Sequence, residues 1–390
     1  MRRNKMRHLE CGTRNLVLSV FLSIAVLFLS GCPEVSITKG PYLQNVTADG
    51  MTVCWETTSA CLGAVNYMVS GSAQAVPFTV VEDIPQTFHS IRLKNLSTET
   101  RYDYQIINKV KSGLFKKWVD MPGPQSSFRT SPNTDTPFRF AVWGDSQSNY
   151  EIFGKISDGM LSWTPDIAIA VGDQIGDGWI LEDWQTEVFN PSKDFRMKVP
   201  TFAAIGNHEG ESPYFYKYFS QPGNDHWFSF TYGNSLFVVL DTNIWFPYTP
   251  QHLWLNELIK SDAFKNAQFK FIFFHQPAYT EQWNRHYYDG EPIVRDTLAP
   301  IIEKAGFDIV FNGHTHAYER GRWPLEGEPY MYYIITGGGA GGLDTEEWKD
   351  WPQIQFTSSQ HHFMIIDVEG EHLSGSAVNI DGEIIDSFSK

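Results

Sequence analysis

The chain has 390 residues, 42% of them hydrophobic, 15% aromatic and 19% charged, a balance that suits globular rather than disordered chains and a length that allows two ordinary domains. Its formal net charge of −15 argues against nucleic acid as a general partner, though not against a local cationic site made by bound metal. The 13 Trp suit a large packed core and an aromatic-rimmed cleft.

The first element is a leader. Arg2, Arg3, Lys5, Arg7 and Arg14 precede Leu16–Ser30, an uncharged and mostly apolar run. That run suits a signal segment and is short for a membrane span. It ends in Leu29-Ser30-Gly31-Cys32, which resembles a bacterial lipobox. The resemblance implies that residues 1–31 are removed and that Cys32 carries lipid. It implies a cell-envelope lipoprotein, periplasmic or on the surface, held to the membrane, with the outer membrane expected. An ordinary signal peptide with a chance Cys, or a short anchor, is the alternative. Without residues 1–31, Lys+Arg falls from 30 to 25, Asp+Glu from 45 to 44, and the charge from −15 to −19. Cys54 and Cys61 then remain and could pair in an oxidising compartment, or stay free. Cys54 alternates with Val53 and Trp55, so it is expected to face away from the core.

Residues 32–131 are expected to form an all-β sandwich. Asp49-Gly50 marks a turn, after which Met51, Val53 and Trp55 alternate on one face. Ile91 and Leu93, then Tyr102, Tyr104 and Ile106, repeat the period. Leu96–Tyr102 resembles the stretch leading into the tyrosine corner of fibronectin type III domains. A turn-rich linker, Thr130–Pro137, follows.

From Phe138 to Lys390 the pattern is α/β. Strands are expected at Phe138–Trp143, Asp166–Val171, Thr201–Ile205, Leu236–Leu240, Phe269–Phe274, Asp308–Phe311 and Tyr330–Thr336. Residues 251–260 and 293–304 have helical spacing. The terminus returns to strands at Phe363–Val368, Leu373–Asn379 and Glu383–Phe388.

Five of these strands end in potential metal ligands: Gly144-Asp145, Gly172-Asp173, Gly206-Asn207-His208-Glu209, His275, and Gly313-His314-Thr315-His316. One Gly-Asp or one His-x-His carries little weight. Five tips in one domain, each after an apolar run, converge on the crevice where open α/β sheets bind ligands. Carboxylate, amide oxygen and imidazole are donors for Zn, Mn or Fe.

This order of motifs resembles the calcineurin-like metallophosphoesterases over nearly the whole chain after the leader. His314–Arg320 (HTHAYER), FSFTYGNSLFVVLDT and the preceding sandwich resemble the purple acid phosphatase branch. The resemblance implies a four-layer αββα domain with two metal ions. Asp173 would bridge them, Asn207, His275 and His314 would complete the second, and Asp145 and His316 would bind the first. His208 would face the phosphate as a catalytic residue; the alternative is a structural His held by Glu209. His286 resembles a substrate-side His, or is a plain surface residue. The segment 336–342 (TGGGAGG) lacks the Lys of a phosphate loop and is expected to be flexible backbone near the cleft mouth. Leu181–Trp184 is expected on a solvated helix face. His361 and His362 are expected on the surface or in the core rather than at the cleft. His89, His226, His252 and His372 are expected to be structural or solvated.

Two positions depart from the pattern. Purple acid phosphatases have a Tyr three residues after the bridging Asp, where this chain has Gly176. Other superfamily members have His two after the first Asp, where this chain has Gln147. Its amide oxygen is a candidate ligand, and Asp177 could substitute for the Tyr only through a local bulge. A divalent pair (Mn, Fe or Zn) and a colourless protein are expected. The substrate is expected to be a small phosphoester. A phosphomonoesterase is the leading reading, a phosphodiesterase or nucleotidase the second, and a non-catalytic surface lipoprotein the third.

Overall fold

A computed structural model describes residues 35–72, 76–112, 117–243 and 248–390. The leader and Cys32 lie outside them. Among the described residues, no helix is long and apolar enough to cross a membrane.

The N-terminal unit is a six-stranded antiparallel sheet curled on itself: β1 (Ile37–Gln44), β2 (Met51–Val69), β3 (Phe78–Val81), β4 (Gln86–Leu93), β5 (Arg101–Ser112) and β6 (Lys117–Arg129). The long β2 belongs to both halves. Its first part pairs with β1 and β4, and its second part with β3 and β5. Met51, Val53 and Trp55 point into the enclosed core with Ile91, Leu93, Tyr102, Tyr104 and Ile106, as their alternation requires. The Tyr102 hydroxyl accepts a 2.8 Å bond from the Ser97 amide five residues upstream, the geometry of a tyrosine corner.

Cys54 and Cys61 are both free and buried. They lie seven residues apart on one strand, a span of about 23 Å at the usual rise, and a disulfide needs Cα atoms within about 7 Å. Cys54 does turn away from the sandwich core, but into a second apolar cluster with Tyr42, beneath the next domain. That contact is firm. The Tyr42 hydroxyl donates to Tyr218 O at 2.9 Å, Tyr104 to Met197 O at 2.8 Å, and buried Glu56 accepts from Lys39 at 2.6 Å and Tyr218 at 3.0 Å.

The second unit is two facing mixed sheets. One has order β19-β18-β17-β7-β8-β9, from β7 (Phe138–Trp143), β8 (Ile167–Ala170), β9 (Thr201–Ala203), β17 (His362–Glu369), β18 (His372–Asn379) and β19 (Ile384–Ser389). The other has order β10-β11-β12-β13-β15-β14-β16, from β10 (Phe228–Tyr232), β11 (Ser235–Val239), β12 (Phe269–Phe273), β13 (Ile309–Asn312), β14 (Tyr318–Trp323), β15 (Met331–Thr336) and β16 (Ile354–Ser358). Alternate residues explain the layers. Phe140, Val142, Ile167 and Ile169 meet Phe237, Phe271, Phe273 and Phe311 between the sheets. Ala141, Trp143, Ala168 and Ala170 face outward under the helix Tyr150–Ser162, whose Phe153, Ile156 and Met160 recur at helical spacing. Leu236, Val238, Ile272 and Val310 face the opposite helical layer. The result is the αββα arrangement that the motif order implies.

Trp184 is a correction. It is fully buried, and its indole donates to Gly178 O at 2.8 Å, so the segment 181–184 is not a solvated face. Its period is broken because the chain passes into a π-helical turn at Trp184–Phe189.

Candidate metal centre

Strands β7, β8 and β9 run parallel in one sheet, and β11, β12 and β13 in the other. Their carboxyl ends meet at one crevice. β7, β8 and β9 deliver Asp145, Asp173 and Asn207; β12 and β13 deliver His275, His314 and His316. Asp145, Asp173 and His314 hold positive φ values of 57°, 51° and 70°. For non-glycine residues this costs about 1–3 kcal/mol each, so the surroundings must hold them there. The preceding glycines follow from crowding: a Cβ on Gly172 would lie 2.6 Å from the His275 ring.

The His275 Nδ1–H donates to Val171 O at 2.9 Å, which turns Nε2 inward as a lone pair. Facing that nitrogen are Asp173 Oδ2 at 3.0 Å, Asn207 Oδ1 at 3.1 Å and His314 Nδ1 at 3.3 Å. Four acceptors thus converge, an arrangement that repels itself unless a proton or a cation lies among them. Ligand atoms of Asp173, His275 and His314 all lie within 4.8 Å of one another. The second cluster is built alike, except that His316 Nε2 receives a donor, the Gln147 amide N–H. The His316 Nδ1–H donates to Gly342 O at 2.7 Å, so its Nε2 faces Asp145 Oδ1 at 3.5 Å and the Gln147 amide nitrogen at 3.3 Å. Gln147 is 3% exposed, and its Oε1 is buried without a hydrogen-bond partner. These donors fit divalent cations.

Where no cation lies among these groups, burial and charge set the protonation, and a proton on His275 Nε2 takes the cation's place. Burial pushes the Asp173 carboxyl up, but the adjacent His275 and the His208 amide outweigh it and hold the pKa well below the ordinary range. Burial lowers His275, while the Asp173 charge lifts it to about 10. His314 is pushed down to about 3 by burial and the neighbouring His275. Burial raises Asp145.

A family model of calcineurin-like phosphoesterases matches residues 138–318. The chain carries a calcineurin-like phosphoesterase domain. Purple acid phosphatase 15 of Arabidopsis thaliana is 27% identical over 295 residues, 64% of this chain and 53% of that protein, so the chain spans about half the length of this relative. Phosphoenolpyruvate phosphatase of Allium cepa is 24% identical over 351 residues, 78% of this chain and 69% of that one. In fold, the purple acid phosphatase PPD1 from yellow lupin (Lupinus luteus) seeds has a TM-score of 0.76 at 17% identity, covering 90% of this chain and 74% of that chain. PhoD has a TM-score of 0.68 at 13% identity, covering 90% and 88%.

In this phosphoesterase domain His208 borders a cleft of about 300 Å³, together with Asp173, Asn207, Trp283, Asn284 and Arg285. Its Nδ1–H donates to Gly176 O at 2.7 Å, and its Nε2 lies 3.9 Å from Asp173 Oδ2. Glu209 does not hold it. Instead Glu209 accepts from the amides of Asp173, Gly206 and Gln174 at 2.9, 2.8 and 2.7 Å and so fixes the Asp173 tip. Burial and the Asp173 charge lift Glu209 to about 7.

His286 is exposed and outside the cleft lining, where Asn284 and Arg285 stand instead. Asp177 is exposed and accepts from the Trp179 amide, turned to its own turn rather than the first-metal donors. The glycine-rich segment is also not a loose mouth. Residues 336–341 are buried, and the Ala340 and Gly341 amides donate to Asp145 O at 2.9 Å. A Cβ on Gly341 would lie 2.5 Å from the His316 ring, which explains the glycine. His362 is fully buried away from the cleft, with its Nδ1 at Gln360 O.

Sequence reasoning missed Asp344. One carboxylate oxygen accepts from the His316 amide and the other from the Asn284 amide, both at 2.9 Å, joining a ligand strand to the cleft wall. Only its place after the glycine run offered a signal. Glu319 is similar. It accepts from Thr280 at 2.9 Å and the Gln282 amide at 3.0 Å, and burial lifts it to about 8.

Proposed function

We propose that the chain hydrolyses small phosphomonoesters at a two-cation centre. In this reading Asp173, Asn207, His275 and His314 would hold one ion, and Asp145, His316, the Gln147 amide oxygen and the shared Asp173 would hold the other. The observation that carries it is the convergence of Asp173 Oδ2, Asn207 Oδ1 and His314 Nδ1 on His275 Nε2. When bound, a divalent pair supplies an activated water and neutralises phosphate charge.

The chain's own groups do the rest. The carbonyls of Val171 and Gly342 fix the tautomers of His275 and His316, so both present lone pairs. The Gly176 carbonyl fixes His208 in the same way, leaving its Nε2 at the cleft. As the water oxygen bonds to phosphorus and the ester P–O bond breaks, a protonated His208 Nε2 gives its proton to the leaving oxygen. Trp283 is 9% exposed and packs over the His314 ring at 4.9 Å, keeping bulk water from that side. Arg285 supplies a cation on the cleft wall for a phosphate oxygen.

The names of the relatives support the monoester reading. Turnover of nitrophenyl phosphate against its bis-nitrophenyl diester tests it: a monoester preference of at least about tenfold is expected, and a preference for the diester replaces it with phosphodiesterase or nucleotidase chemistry. The lipid anchor rests on the Leu-Ser-Gly-Cys motif alone. Fatty-acid labelling lost in Cys32→Ser supports it, and labelling absent from wild type sinks it.

A further inference from the structure

Away from the residues assigned to the cation pair, Glu211, His226 and Asp241 bring ligand atoms within 4.8 Å of one another. They come from three segments. Glu211 follows the Asn207–Glu209 turn, His226 precedes β10, and Asp241 lies at the tip of β11. Asp241 is fully buried. Its Oδ1 accepts from the backbone and side-chain N–H groups of Asn243 at 2.9 and 3.0 Å, which turns Oδ2 toward His226 Nδ1 at 3.3 Å. That separation is long for a charge-assisted hydrogen bond, about 2.7–2.9 Å. It matches the edge, about 3.3 Å, of a tetrahedron whose N and O ligands lie about 2.0–2.1 Å from zinc. The Glu211 carboxylate is at the open side, where it accepts from the Tyr216 hydroxyl at 2.9 Å, and that hydroxyl is 3.4 Å from the His226 ring nitrogens.

We propose that Glu211, His226 and Asp241 bind a further divalent cation, best matched by zinc, separate from the catalytic pair. Two carboxylates and an imidazole would neutralise it and leave one position for water. The ion would join the segment after His208 to the β11 tip, which Asn243 already ties to Gly206 O by a 3.3 Å bond. Its role is to brace the turn that presents Asn207 and His208, not to touch substrate.

The test is a zinc titration of the metal-free full chain, with bound zinc counted after desalting, for wild type, His226→Ala and Glu211→Gln. Expected are one equivalent fewer in His226→Ala and at least about tenfold weaker binding of that equivalent in Glu211→Gln. Cobalt substitution should give an intense tetrahedral visible band in wild type that is reduced in His226→Ala. Because the readout is a difference between chains, it holds whatever the cleft itself binds. Should His226→Ala fold poorly, the exposed Glu211→Gln position carries the comparison. Equal counts and affinities in all three chains overturn the proposal, and a protonated His226 paired with Asp241 then accounts for the geometry.

Discussion

The sandwich and the phosphoesterase domain each bury a histidine against a carboxylate, with opposite outcomes. In the sandwich, His89 Nδ1 meets Glu82 at 2.7 Å, and its Nε2 lies 3.2 Å from the Thr57 hydroxyl and 3.5 Å from Cys61 Sγ. The ring stacks on Trp55, whose indole donates to Asn108 at 2.9 Å. Donors and acceptors match, so the group closes on itself. At His275 the carboxylate distance is similar, 3.0 Å, but the remaining neighbours are again acceptors. A buried His–carboxylate pair therefore does not mark a functional site. A surplus of buried acceptors aimed at one point does.

That contrast can be broken by mutation. The largest effect is expected at the acceptor surplus. Asp173→Ala or His275→Ala should lower phosphoester turnover by at least about 10³-fold and reduce the metal count, a loss on the scale of metal-assisted water activation. Full activity in either variant would remove the centre from the cleft. Next, His208→Ala should lose about 10²–10³-fold in kcat with the metal count unchanged, the range for one proton donor. A parallel loss of metal would make His208 a ligand instead.

The closed cluster should respond in stability rather than turnover. Burial by itself lowers the His89 pKa, but its bonds to Cys61 and Glu82 and the Glu82 charge lift it to about 9. Burial raises Glu82, and the His89 bond and charge outweigh it and lower it. The sign follows for each group. A raised histidine stabilises fully below its unfolded value of 6.5, and the contribution fades as pH climbs through about 9. A lowered carboxylate stabilises above its unfolded value of 4.5, and the contribution fades in more acid solution. The unfolding free-energy gap between wild type and His89→Gln should thus be widest between pH 4.5 and 6.5, on the order of 3 kcal/mol, and narrow toward pH 9. A gap flat with pH would show the pair to be uncharged.

The smallest effect is expected at Gln147. Gln147→Ala should weaken only one of the two cations, by about tenfold, since a neutral amide oxygen is a modest donor. Metal titration resolving two classes of site in wild type and variant checks this, and an unchanged pair of affinities would leave that position to water. With Gly176 where a phenolate would stand, the metal-loaded protein should be colourless, and a strong visible band that shifts on reduction would contradict that.

Much of this was legible along the chain, for reasons tied to particular residues. Phe140–Trp143 and Phe271–Phe273 are uninterrupted apolar runs because sheets buried on both faces have no polar side to alternate with. Gly172-Asp173 and Gly313-His314 are readable because ligands held at positive φ and packed against neighbouring tips leave no room for a Cβ before them. Trp184, flanked by Asp183 and Gln185, and the burial of Cys54 were not readable. Each packs in a cluster with residues distant along the chain. The cleft wall was harder still: Arg285 rather than His286 lines it, because the Asn284 side chain caps the 343–346 segment and sets which way the loop turns.

The amino-acid sequence by itself determined the strand tips, their ligand types and their order, because local burial and local crowding leave marks in neighbouring residues. The tertiary structure decided which atoms face each other. The tautomers of His275, His316 and His208 depend on Val171, Gly342 and Gly176, the strained Asp173 tip on Glu209, and the His316 strand on Asp344. All of these partners lie 26 or more residues from the groups they orient, and no spacing rule along one strand or helix reaches that far.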